Sequence, residues 1–99
     1  MNVRPADTAW TRMVGLLGRA SLPQDEGLLL APAWSIHTWG MRFAIDVVFV
    51  DRDDRVLRIV EAMRPWRLVS QWKAHAVVEL AAGRARTLGL REGRRLEWV

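Results

Sequence analysis

Short apolar runs separated by polar turns dominate this chain. Ile45 to Val50 is the strongest: β-branched, six residues long, and ended by the turn-forming Asp51-Arg52-Asp53-Asp54, which predicts a strand. Arg55 to Ala62 follows as its hairpin partner, with Leu57 and Ile59 among the inward positions. Ala76 to Leu80 predicts another buried strand. Leu28 to Ala31, Trp66 to Val69 and Arg95 to Trp98 predict shorter ones, and Ser35 to Phe43 alternates loosely. Helical spacing occurs in one place, where Trp10, Met13, Leu16 and Leu17 recur at three- and four-residue steps over Thr8 to Leu17. Asp7 can cap that helix and Gly18 can end it. Gly83 to Gly89 predicts a short helical turn.

Several short strands with little helix argue for a mainly β (α+β) fold: a compact antiparallel sandwich or barrel, with one N-terminal helix and a short C-terminal helical turn. The 99 residues predict a single domain spanning 1–99, because a second hydrophobic core would not fit. Half the residues (51%) are hydrophobic, enough to fold without staples. No cysteine occurs, which excludes disulfides, thiolate metal sites and a cysteine nucleophile, and suits a reducing compartment. The polar start and the lack of a long apolar run predict a cytoplasmic protein without a membrane role.

The net charge of +4 comes from 15 basic and 11 acidic residues. The arginines are scattered along the chain and interleaved with carboxylates, as at Asp51-Arg52-Asp53-Asp54-Arg55. Nucleic-acid binding is therefore the less favoured reading of that charge.

Three blocks carry a family resemblance. Gly15-Leu16-Leu17-Gly18-Arg19, followed by Asp25-Glu26-Gly27-Leu28-Leu29-Leu30, resembles an N-terminal motif; SIHTWGMRFAIDVVFVD (35–51) resembles the central block; VELAAGRARTLGLREG (78–93) resembles the C-terminal one. Together they are similar to the domain of unknown function 192 (DUF192) family over nearly the whole chain. The resemblance implies a mainly antiparallel β fold of sandwich or jelly-roll type, and it brings no settled activity, cofactor or substrate. Three positions depart from the family's pattern. Ala44 replaces a common proline, Gly40 a common bulky aromatic (leaving room for a shallow hollow beside Trp39), and Arg94 a common aspartate.

The chemically unusual positions are His37, Asp46 and Glu79. Asp46 sits inside IDVVFV and Glu79 inside AVVELA, where a carboxylate is costly unless paired or hydrogen-bonded. One reading is that arginines and backbone N–H groups satisfy both acids within the sheet. The other brings them together with His37 in one pocket, where acid–base chemistry of a small hydrolase or lyase would follow. No close-spaced ligand pair supports a metal, no cofactor motif is present, and Gly15-Leu16-Leu17-Gly18-Arg19 lacks the lysine of a phosphate-binding loop.

Trp34, Trp39, Trp66 and Trp72 stand near Arg42, Arg64, Arg67 and Lys73, a combination that can stack on a ligand or anchor a protein partner. The leading expectation is accordingly a non-enzymatic module. It would bind a small molecule or protein through Ser35–Phe43, with Trp39, Met41 and Arg42 in contact and His37, Asp46 or Glu79 orienting them.

Overall fold

The computed structural model describes residues 2–6 and 26–96. Among these residues, seven strands run in the order β1 (Asn2–Ala6), β2 (Glu26–Leu30), β3 (Ser35–His37), β4 (Ile45–Val50), β5 (Val56–Met63), β6 (Leu68–Ser70) and β7 (Ala76–Ala81), followed by one short helix, α1 (Arg84–Thr87). Five strands form a sheet of order β1-β2-β7-β4-β5, and β3 pairs with β6 in a separate two-stranded ribbon. Every pairing is antiparallel except that of β1 with β2.

The central strands β4 and β7 are buried at all six positions each, so both faces of the large sheet are covered. Alternation divides their side chains into two cores. Ile45, Val47, Phe49, Val77 and Ala81 pack on one face with Ile36 of the ribbon, Met41 and Met63. Val48, Val50, Ala76, Val78 and Leu80 pack on the other with Val56, Ala85 of α1 and Leu96. The ribbon thus covers one face of the sheet, and α1 with the segment after it covers the other.

These elements confirm a mainly β fold with little helix and correct some of its detail. Neither sheet closes into a barrel, because β1 and β5 remain as edges. Strand β1 replaces an expected polar lead-in: its Arg4 and Pro5 lack the strand pattern, and an edge position tolerates proline because one side needs no ladder bond. The segment 35–43 is extended only to His37. After it, Met41 N–H donates to the Thr38 carbonyl and Gly40 takes φ +79°, a left-handed turn that suits glycine. Of the expected last strand, Arg95 forms a bridge with Arg55, and residues 97–98 lie outside the described residues. The helix expected over Thr8–Leu17 lies outside the described residues. Among the described residues, no helix is long and apolar enough to cross a membrane.

Candidate functional site

Register separates the two embedded carboxylates. In the β4–β7 ladder Asp46 stands opposite Leu80 and Val47 opposite Glu79. Directly opposed residues share a face and successive residues alternate, so Asp46 and Glu79 project from opposite faces of one sheet. The shared pocket of His37, Asp46 and Glu79 expected for a hydrolase or lyase is therefore not formed. Sequence could not exclude it, because which faces two strands present to each other is settled only by their pairing.

Asp46 has a structural task instead. Between the pairs Ile45–Met63 and Val47–Val60, β4 contributes one residue, Asp46, and β5 contributes two, Glu61 and Ala62. This is a β-bulge, and it removes a backbone N–H from the ladder. The freed N–H of Ala62, whose φ is +49°, donates to Asp46 Oδ1 at 2.8 Å. Asp46 Oδ2 accepts from the N–H of Ala85 at 2.9 Å. That N–H belongs to the first turn of α1, where donors have no partner inside the helix. The helix's own N-cap, Gly83, offers no side chain and takes φ +89°, which turns the chain sharply from β7 into α1. One fully buried carboxylate thus closes a bulge and caps a helix.

Glu79 is also fully buried, flanked across the ladders by Leu28 and Val47. Met41 is buried in the core beneath the ribbon. Neither is placed to meet a ligand at the surface, and nor is Asp46. His37 is half-buried with its ring against that of Trp39, centroids 4.8 Å apart and planes tilted by 34°. Trp39 and Arg42 are exposed.

The exposed aromatic residues define a surface. Trp34 (54% exposed), Trp39 (52%), Trp66 (66%), Leu68 (63%) and Trp72 (75%) are the large apolar side chains left open to solvent among the described residues. All five lie on the ribbon or the loops leaving it. Ile36 and Val69 pair and point into the core, so the neighbouring pairs Ser35–Ser70 and His37–Leu68 face outward. At one end Gln71 N–H donates to the Trp34 carbonyl at 2.7 Å, which brings Trp72 close to Trp34 in the chain path. At the other end Trp66 N–H donates to the Thr38 carbonyl at 2.9 Å, beside Trp39. The two serine hydroxyls lie 3.0 Å apart between these aromatic ends.

Thr38 holds the Trp39–Trp66 end together, and its neighbours in the chain carry no hint of this. It is fully buried. Its hydroxyl donates to the Arg64 carbonyl at 2.7 Å and accepts from the Arg67 N–H at 2.9 Å. Its own N–H donates to the Arg67 carbonyl at 2.9 Å. The loops carrying Trp39, Arg42, Arg64, Trp66 and Arg67 are thereby fastened to one residue. Trp66 itself has φ +63°, a region that a bulky side chain seldom occupies.

Two concavities lie away from this surface. One of about 300 Å³ is lined by Ile59, Ala85, Leu90 and the exposed Glu61–Arg86 pair. One of about 680 Å³ lies among Arg55, Leu88, Arg91, Arg94 and Arg95. A third hollow joins Trp72 and Lys73 to Asp51 and Asp53, with Lys73 Nζ 5.3 Å from the Trp72 ring centre. Among the described residues no group of three or more histidine and acidic side chains could hold a metal ion.

Comparison with known proteins places the chain. The DUF192 family model, described as uncharacterized ACR, COG1430, matches residues 1–98. A UPF0127 protein of Pyrococcus furiosus is 33% identical over 104 residues, covering 99% of this chain and 87% of that protein. One of Pyrococcus abyssi is 33% identical over 66 residues, covering 66% of this chain and 56% of that one. A crystal structure of a protein of unknown function from Novosphingobium aromaticivorans superimposes with a TM-score of 0.82 at 26% identity, over 97% of this chain and 74% of that one. Another, from Sinorhizobium meliloti and provisionally named a transcription regulator, gives 0.83 at 25% identity over 96% and 79%. The chain belongs to the DUF192 family, whose function is uncharacterised.

Proposed function

We propose that this DUF192 chain is a single-domain, non-enzymatic binding module whose contact surface is the outer face of the β3–β6 ribbon. One observation carries the reading: the exposed large apolar side chains of the described residues all gather on this ribbon and its loops. Burying an aromatic side chain removes about 150–250 Å² from water, at roughly 25 cal/mol per Å². Four half- to three-quarter-exposed tryptophans therefore leave several kcal/mol of burial unused in the free protein. An apolar cluster of this kind, rimmed by polar groups, is the usual mark of an interaction site.

Within this reading Trp39 and Arg42 make contact, joined by Trp34, Trp66, Leu68 and Trp72, and His37 supports the Trp39 ring. Met41, Asp46 and Glu79 belong to the scaffold beneath. The hydrolase or lyase alternative loses its support with the separation of Asp46 from Glu79. A cysteine-free chain suits a cytoplasmic setting.

Oxidative footprinting of the tryptophans tests the reading against a panel of defined probes: a single-stranded oligonucleotide, vesicles containing phosphatidylglycerol, and a polyanionic polysaccharide. Protection of Trp39 and Trp66 by any probe that binds is the expected result. A probe that binds while leaving all four ribbon tryptophans reactive would refute the assignment, as would a panel in which nothing binds.

A further inference from the structure

We infer that the outer face of the ribbon binds single-stranded nucleic acid. This rests on the proposal that the ribbon is the contact surface, and it names the partner. The first ground is charge. No Asp or Glu occurs between Gly27 and Ile45 or between Ala62 and Val78, the two stretches that form the ribbon and its loops. Those stretches carry Arg42, Arg64, Arg67 and Lys73, whose four charges equal the net +4 of the whole chain. Along the sequence the arginines look evenly diluted by carboxylates; folding brings two undiluted stretches side by side.

The second ground is the kind of side chain held among those charges. Each of Trp39, Trp66 and Trp72 is exposed and lies within three residues of an exposed arginine or lysine. Indole faces stack on bases of any sequence while cations track the phosphates, the usual means of holding single strands. A duplex keeps its base faces stacked inside and offers none to an indole, whereas unpaired bases can be splayed onto aromatic rings.

The centre of the face favours a base over a lipid tail. Ser35 and Ser70 sit hydroxyl to hydroxyl between the aromatic ends, and half-buried His37 stands opposite Leu68. Base edges can add hydrogen bonds to the two hydroxyls, whereas acyl chains offer them none. The third ground is Trp66. Its left-handed backbone costs about 1–2 kcal/mol, and such strain concentrates at binding sites. Here it holds an indole that is two-thirds exposed. The cationic end is the one bearing Trp39 and Trp66, because Asp51 and Asp53 share a hollow with Trp72 and Lys73 at the other.

The test is fluorescence anisotropy of a labelled oligothymidylate of about 15 nucleotides, within the span that one small domain covers, titrated with the full chain at low salt. Saturable binding is expected. Its log K should fall against log salt with a slope of about −2, since three arginines each release roughly 0.7 counterion from a single strand. Trp39→Ala and Trp66→Gly should each weaken binding about tenfold, and Arg67→Gln should flatten the slope by about 0.7. Trp66→Gly relieves the left-handed backbone, and a thermal melt matching wild type shows that its lost affinity does not come from unfolding. No binding at low salt overturns the inference. If phosphatidylglycerol vesicles protect the ribbon tryptophans and the oligonucleotide does not bind, the partner is wrong while the contact surface stands. Oligonucleotide binding that every ribbon variant retains overturns both.

Discussion

Replacing Asp46 by asparagine is a near-isosteric change that tests whether this acid holds the sheet together or serves chemistry. In the native protein two backbone donors, Ala62 N–H at 2.8 Å and Ala85 N–H at 2.9 Å, each take one carboxylate oxygen in a fully buried setting. Asparagine supplies one acceptor, so one bond survives in neutral form. The other donor then faces the amide NH2. A hydrogen bond to a charged group contributes about 1.5–3 kcal/mol, and a buried donor left unsatisfied costs about 1–3 kcal/mol. These overlap, so the net loss should be about 2–4 kcal/mol. For a domain of this size each kcal/mol lowers Tm by roughly 4–8 °C, which gives a fall of about 8–32 °C. In urea, with a slope near 1.5 kcal/mol per M, the midpoint should drop by about 2 M. Amide exchange should quicken first at Ala62 and Ala85, ahead of Val47 and Val78 in the sheet centre. Asp53→Asn, at an exposed turn position, is the control and should stay within about 0.5 kcal/mol of wild type. An Asp46→Asn protein that melts within two or three degrees of wild type would refute the capping role.

Further changes probe the same scaffold. Thr38→Val keeps the shape and removes the hydroxyl that serves Arg64 and Arg67; thermal melts should show a loss of about 1–3 kcal/mol, with the Arg67 amide exchanging faster. Ala62→Gly should reverse the usual penalty of glycine in a strand, because Ala62 sits at φ +49°. Its stability by urea unfolding should match wild type or exceed it by up to about 1 kcal/mol. Gly83→Ala, at φ +89° with open space around the added methyl, should lose about 1 kcal/mol or more through backbone strain alone.

Much of the fold was legible because the inner strands are short, β-branched and fully covered. Ile45–Val50 has the predicted bounds, and the Ala76 strand ends one residue later than predicted. Strand β1 was not legible, since Arg4 and Pro5 interrupt the run of β-branched and alternating residues that marks a strand in sequence. The bulge opposite Asp46 was hidden for a different reason: it is a mismatch between two strands, and neither carries it alone. The same holds for the candidate site. His37, Trp39 and Arg42 were visible as unusual residues, but the alternation that separates Asp46 from Glu79 depends on pairing. Thr38 was invisible because a lone threonine between His37 and Trp39 gives no sign that its hydroxyl is buried. The cationic character of the ribbon emerges only when residues 34–42 and 64–73 become neighbours.

The contact surface can be observed directly through the indole N–H resonances of 15N-labelled protein titrated with oligothymidylate at low salt. Trp39 and Trp66 should shift together along one saturation curve, with smaller changes at Trp34 and Trp72, while the amides of Val47, Val48, Val77 and Val78 stay in place. Ribbon resonances that do not move, while those around Asp46 or Glu79 do, would put the function in the sheet and contradict a contact surface on the ribbon.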